Sequence, residues 1–301
     1  MEMEANSSIE SKKTKLHKVK KIKVIDIFNY LWQSKSVFFG GIIVAIVIVC
    51  AIFAPFISTH DPFEMNMSNG LLKPGENGHI LGTDQYGRDL FTRLIYGARV
   101  SLKVGIFAVL ISMSIGVTLG LIAGYYGGII DSIIMRIVDI FLSFPVILLA
   151  IALVASLGPG INSVILALGL VYWTNYARVV RANVLSIKEE EYIQAAKTIG
   201  SSDFRIIFFN ILPNSWAPII VIATLGLGVA IVSEATLSFL GLGIQPPEAS
   251  WGWTLAFGMK YIRESFYLSL YPGIAIMITV LGFNLLGDGI RDLTDTKLKR
   301  R

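Results

Sequence analysis

Val37 to Ile57 reads VFFGGIIVAIVIVCAIFAPFI, a run without one charged side chain. About 20 helical residues at 1.5 Å each cross a hydrocarbon core of about 30 Å. Inside that core a backbone has no water to bond with, so its N–H and C=O groups must be satisfied along the segment itself, and an α-helix does this. Five more apolar runs follow: Ser101–Tyr126, then 137–157, 161–180, 217–240 and 270–290. Pro145 is expected to kink the third, "GGIIDSIIMR" to form a short turn before it, and "GPG" at 158–160 a tight turn after it. Ser114, Gly116 and Gly120 in the second run suggest a face that packs closely on another helix. Charged residues make up only 16% of the 301, against about 25% in soluble domains. The expected fold is an all-α integral membrane protein with six spans. The basic lead-in is too long for the n-region of a signal peptide, so the first run is read as an uncleaved helix.

Most of the charges that remain lie between the runs or near their ends, and their sign carries orientation. With the N-terminus inside, segment 1–36, the turn at Arg136, segment 178–213 and the tail 291–301 hold eight, one, five and five Lys/Arg. The opposite side holds six, from Lys73 to Arg263. Basic residues concentrate on the cytoplasmic side of membrane proteins, where they also meet anionic lipid. Both termini are therefore expected in the cytoplasm, and 58–98 is expected to be an extracytoplasmic loop. A nucleic-acid reading of the basic N-terminal segment is set aside in favour of this one. The lone Cys50 cannot form an internal disulfide.

Residues 189–213, between the fourth and fifth runs, are amphipathic and fall on the cytoplasmic side of this topology. Apolar or small residues at 192, 193, 195, 196 and 199 form one stripe at helical spacing. Gly200 suits a left-handed cap, Ser201, Ser202 or Asp203 can cap a second short helix from Phe204 to Leu212, and Pro213 is expected to end it. The pattern alone fits a helix lying on the inner leaflet. It equally fits a surface that another protein approaches closely over Ala195 and Ala196.

"QAAKTIG" followed by "ILP" resembles the cytoplasmic loop of permeases of ATP-binding-cassette importers, with Gln194 and Asn210 departing from the usual residues. His79–Leu102, Ser233–Trp253 and Gly282–Asp295 resemble the C-type permease subunit of dipeptide, oligopeptide and nickel importers. The resemblance implies a type I importer permease fold whose coupling helix lies between spans four and five. It implies that Glu191, Tyr192, Gln194, Ala195, Ala196, Gly200, Asp203, Leu212 and Pro213 meet an ATPase. It also implies the partners: a second homologous permease, two cytoplasmic ATP-binding subunits and an extracytoplasmic solute-binding protein. The expected cargo is a peptide, with nickel or another small solute as the alternative.

The chain carries no G-x-x-x-x-G-K-[ST] motif, so no ATP site, catalytic centre or cofactor of its own is expected. His17, His60 and His79 are scattered without metal-ligand spacing. Glu234, within the fifth run, either lines the pathway or gate, or anchors buried hydrogen bonds. Arg88, Asp89 and Arg93 either receive the binding protein or pair among themselves. Trp251 and Trp253 are expected in an interfacial aromatic belt, with cargo contact at Trp251 as the alternative. Trp173, Asn175 and Tyr176 either line a pore or pack between helices. An ion-driven secondary transporter would need several buried acids, and only Glu234 qualifies. A membrane-embedded enzyme would need a nucleophile or cofactor site, and none stands out.

Overall fold

The computed structural model describes residues 34–294. Most of the basic segment 1–36, and the tail beyond Thr294, lie outside the described residues. Helix α1 (Lys35–Ile52) begins at Ser34, whose hydroxyl caps Val37, and a single turn at Ala54–Ile57 follows it. Then come α2 (Leu90–Tyr126), α3 (Gly128–Leu142), α4 (Val146–Leu157), α5 (Ile161–Ile187) and the short α6 (Glu191–Thr198). Helix α7 (Asp203–Phe239), α8 (Trp251–Lys260) and α9 (Tyr267–Thr294) complete the described residues. Among the described residues five helices are long and apolar enough to cross a membrane, six if the bent pair α3–α4 counts as one span.

Three expectations change. The second span starts at Leu90, not Ser101, because Asp89 caps it by accepting the Thr92 amide at 2.8 Å. The loop thus ends at 89 instead of 98. The third span is not a kinked helix. Helices α3 and α4 meet at 86°, and "GGIIDSIIMR" is helical from Gly128 onward. Pro145 lacks an amide hydrogen and bars Phe144 from helical backbone, so the chain turns there and restarts at Val146. Nor does Pro213 end a helix. A π-helical stretch at Ile206–Ile211 precedes it, and the helix runs on through Pro213 and Pro218 to Phe239. The wider turn, with Leu212 N–H bonded to Ile207 O, accommodates a residue that cannot donate.

The centre of the structure is the pairing of α2 with α5, the most extensive in the fold. Gly116, Gly120 and Gly124 recur every fourth residue, on one face of α2. A Cβ at Gly120 would lie 2.7 Å from Ala177 O, and one at Gly124 would lie 2.6 Å from Val184 Cβ. The two backbones therefore touch where any side chain would separate them. Ser114, expected on this face, is instead exposed and bonds back to Leu110 O. A similar approach joins α1 to α9, where a Cβ on Gly40 would meet Leu286 N at 2.6 Å. Helix α1 is peripheral, with 22% of its span buried against 61% for α5, and it presents Phe39, Ile46 and Ile52 outward as a lipid-facing helix does.

The 58–89 segment folds back over one end of the bundle. Thr83 Oγ1 accepts from Leu72 N at 2.9 Å and donates to Asn69 O, while Tyr267 of α9 donates to Leu72 O at 2.8 Å. Gly82 and Gly87 have φ of +79° and +73° and run against the backbone of Leu72 and Asn66, which leaves no room for a side chain.

Replacing Gly120 by Val should cost about 1–3 kcal/mol by overpacking the α2–α5 contact. Gly41→Val, where an added Cβ meets nothing within 4 Å, is the matched control. Thermal unfolding in detergent and membrane yield should fall for Gly120→Val and stay near wild type for Gly41→Val.

Candidate functional site

Between α5 and α7 the chain leaves the bundle for a short excursion. Helix α6 anchors through Ile193, which is fully buried among Val184, Ile206, Ile211 and Ile219. Its left-handed end is at Gly200, φ +80°, where Ser201 N–H bonds Ala196 O and Gly200 N–H bonds Lys197 O, both at 3.0 Å. Nothing lies within 4 Å of a Cβ built there, so the demand for glycine is purely conformational. Ser202 is the residue that caps the next helix, through Arg205 N. Asp203 accepts from the Tyr125 hydroxyl at 2.6 Å, and Lys197 sits 5.3 Å over the same ring, which ties the excursion to the end of α2.

The apolar stripe divides in a way its spacing conceals. Only Ile193 is buried and Ala196 half-buried. Tyr192, Ala195 and Ile199 face outward with Glu191 and Gln194. Ile199 is 81% exposed, an aliphatic side chain in the open at one end of the apolar stripe. The Gln194 amide donates to Lys188 O at 2.8 Å, which closes the turn leading into α6. Burial, and then the Glu190 charge, push the Tyr192 phenol above its ordinary pKa, so it stays protonated at neutral pH. Leu212 is half-buried and Pro213 exposed at the base of the excursion.

At the other end of α7, Glu234 is fully buried. Its Oε1 accepts from Ser238 at 2.8 Å and from Ser250 at 2.9 Å, and its Oε2 accepts from Ser101 at 3.0 Å. Ser250 also caps α8 by accepting from Trp253 N, and Ser238 accepts from Ile244 N. One carboxylate therefore joins α2, α7 and the start of α8. Ser233 to Phe239 form the last two turns of α7.

Arg88, Asp89 and Arg93 are each only 2% exposed, which removes them as a surface for a partner. Arg88 Nε donates to Asp84 at 2.7 Å. Arg93 donates to the carbonyls of Pro62, Pro247 and Glu248 at 3.2–3.3 Å, clamping two loops to the start of α2. Trp251 is 3% exposed, so it does not belong to a lipid-facing aromatic belt. Its Nε1 donates to Leu94 O at 2.8 Å, and its ring fills the space that Gly97 leaves open. Trp173 packs edge-on against Phe141 of α3. Its neighbours Tyr172, Asn175 and Tyr176 instead border a cavity of about 170 Å³ between α2, α5 and α7, and Trp173 does not.

Two of the histidines are not scattered. His60 and His79 stack at 4.4 Å, and their Nδ1 atoms lie 3.6 and 2.9 Å from Asp89 Oδ1. Folding of the 58–89 segment brings them together, and no local spacing could have revealed it.

With this geometry in view, residues 116–300 match the family described as binding-protein-dependent transport system inner membrane component. Residues 25–74 match the N-terminal transmembrane domain of oligopeptide transport permease C. A dipeptide transport system permease protein of Alkalihalophilus pseudofirmus is 50% identical over 272 residues, 90% of this chain and 89% of that one. A glutathione transport system permease protein of Pectobacterium atrosepticum is 44% identical over 86% of each chain. A chain of the MetNI methionine ABC transporter in an inward-facing conformation superposes with a TM-score of 0.56 at 21% identity, over 68% of this chain and 98% of that one. That likeness is one of fold.

Glu234→Leu leaves three buried hydroxyls without their acceptor, each at a cost of about 1–3 kcal/mol. It should lower the yield of folded protein sharply. Glu234→Gln keeps an acceptor oxygen and should retain most of that yield. Size-exclusion profiles of the two variants in detergent check this, and equal yields would show that the hydrogen bonds do not hold α8 in place.

Proposed function

The chain belongs to the family of inner membrane components of binding-protein-dependent transport systems, and we propose that the cargo it carries is a short peptide. It is a multi-pass permease subunit of an ATP-binding-cassette importer. The cargo reading is carried by one observation: 50% identity, along 90% of this chain, to a permease named for dipeptides. The relative named for glutathione, itself a small peptide, lies within the same class of solute.

In this reading ATP is hydrolysed on two separate cytoplasmic subunits, a second permease of related fold completes the pore, and an extracytoplasmic binding protein delivers the solute. The outward face of α6, formed by Glu191, Tyr192, Gln194, Ala195 and Ile199, docks on an ATPase. The exposed Ile199 supports this, because an aliphatic side chain in the open gains from a partner that covers it. Gly200, Asp203, Leu212 and Pro213 carry the motion from α6 into α7. Glu234 serves as an anchor that keeps α2, α7 and α8 moving as one. The cavity bordered by Tyr172, Asn175 and Tyr176 forms part of the passage. Nineteen Lys/Arg on one side of the spans against six on the other support a cytoplasmic α6 and cytoplasmic termini.

Vesicles holding the complete transporter should take up a labelled dipeptide. Uptake of nickel with no uptake of dipeptide or glutathione would overturn the cargo reading. Gly200→Val, which forces a β-branched residue into a left-handed turn, should cut uptake at least tenfold while complex yield stays unchanged. Normal uptake by that variant would defeat the role given to α6.

Orientation and docking are read together by single cysteines in a Cys50→Ser background. Met67 is exposed on the 58–89 segment and Ala195 is exposed on α6. An impermeant maleimide should label Met67→Cys, and not Ala195→Cys, in intact cells. Inside-out vesicles without ATPases should label Ala195→Cys, and adding the ATPases should protect it. Labelling of position 195 from outside would reverse the topology.

A further inference from the structure

We propose that His60, His79 and Asp89 form a binding site for a transition-metal dication, of which Zn2+ is the best match. The ligand atoms of the three residues lie within 4.8 Å of one another. Both imidazole Nδ1 atoms face a single carboxylate oxygen, Asp89 Oδ1, at 2.9 and 3.6 Å. Donors bound to Zn2+ at about 2.0–2.1 Å and separated by those distances subtend angles of about 90° and 120°, and a turn of the His60 ring would bring the two imidazole nitrogens inside the roughly 4 Å span that one ion bridges. Two imidazoles and one carboxylate are a donor set suited to Zn2+, with water in the fourth position.

The surroundings hold the ligands in place. The second Asp89 oxygen accepts from Thr92 N at 2.8 Å and from Thr59 Oγ1 at 3.4 Å, which leaves Oδ1 to the imidazoles. The backbone of His79 is bonded through both its N–H and its C=O, and His60 N–H donates to Thr92 Oγ1 at 3.3 Å. These contacts fix the Asp89 carboxylate and the backbone positions from which the two imidazoles reach it. The His60 side chain keeps 32% of its surface exposed, so its ring has room to turn out of the stack and aim its lone pair at the ion. For each ring the metal-binding tautomer carries its proton on Nε2, so ligation at Nδ1 needs no charged imidazole.

The cluster opens on a cavity of about 170 Å³ with Asp61, Glu64 and Asn66 in its wall. With Asp89, three carboxyl groups border that space, and among the described residues no Lys or Arg does. The cavity therefore favours a cation and has room for the ligand water. Asp89 also caps α2, so an ion here would join the start of that helix to two points of the 58–89 segment.

The test uses the full-length chain, purified in detergent with its transporter partners and stripped with a chelator. Zn2+ is titrated against a chromophoric competitor, and Co2+ is used as a spectroscopic probe. One ion should bind per copy of this chain, and His60→Ala should weaken that binding at least tenfold. Asp89→Asn keeps the Thr92 cap and should also weaken binding. His17→Ala should leave it unchanged. His60→Cys should restore affinity and add a thiolate-to-cobalt charge-transfer band in the near ultraviolet, which a merely structural His60 would not produce. Absence of saturable binding, or binding indifferent to His60→Ala, overturns the proposal.

Discussion

The fold depends on two helix backbones coming into contact. In lipid an apolar side chain gains little by leaving its neighbours for another helix, so α2 and α5 must be held together by close packing. Gly116, Gly120 and Gly124 provide it, because each removes the one group that would keep the helices apart. Other elements then locate themselves on this pair. Helix α3 is tied to the far part of α5 by Asp131 to Arg181 and by Asp139 to Arg178. Helix α7 packs on both members of the pair, and the cavity lies in the angle between the three.

Charge is then used to hold one end of the bundle together. Glu234 and Arg93 each take a position where an ionised group is expensive, and each offsets that cost with several hydrogen bonds to separate segments. Arg93 gathers carbonyls, while Glu234 gathers three hydroxyls, one of which, Ser250, also caps α8. The short helix α8, too small to hold its own position, is thereby attached to α7 by the Glu234–Ser250 bond and to α2 by Trp251 to Leu94.

The spans were legible because hydrocarbon length is a local property, readable from an uncharged run such as Val37–Ile57. So was the left-handed turn at Gly200, which a glycine after an amphipathic stretch announces by itself. The helix extensions beyond the apolar runs were not. Leu90 to Val100 is helical because Asp89 caps it and loops pack on it, and 181–187 because α3 supplies an acid to Arg181. Proline misled in both directions. At 145 it breaks a span outright, whereas at 213 a preceding π turn absorbs it. The His60–His79–Asp89 cluster depends on the path of a loop, and composition holds no trace of it.

The π turn at Ile206–Ile211 has a mechanical meaning. Because the helix does not stop at Pro213, Asp203–Phe239 is one rod of 37 residues, about 55 Å long at 1.5 Å per residue. Asp203 adjoins the excursion at one end, and Glu234 sits near the other. A tilt of about 10° around the midpoint of such a rod displaces each tip by about 5 Å, in opposite directions. Under the docking proposed for α6, such a rod would act as a lever, and a push at one end would emerge as a reversed stroke at the other.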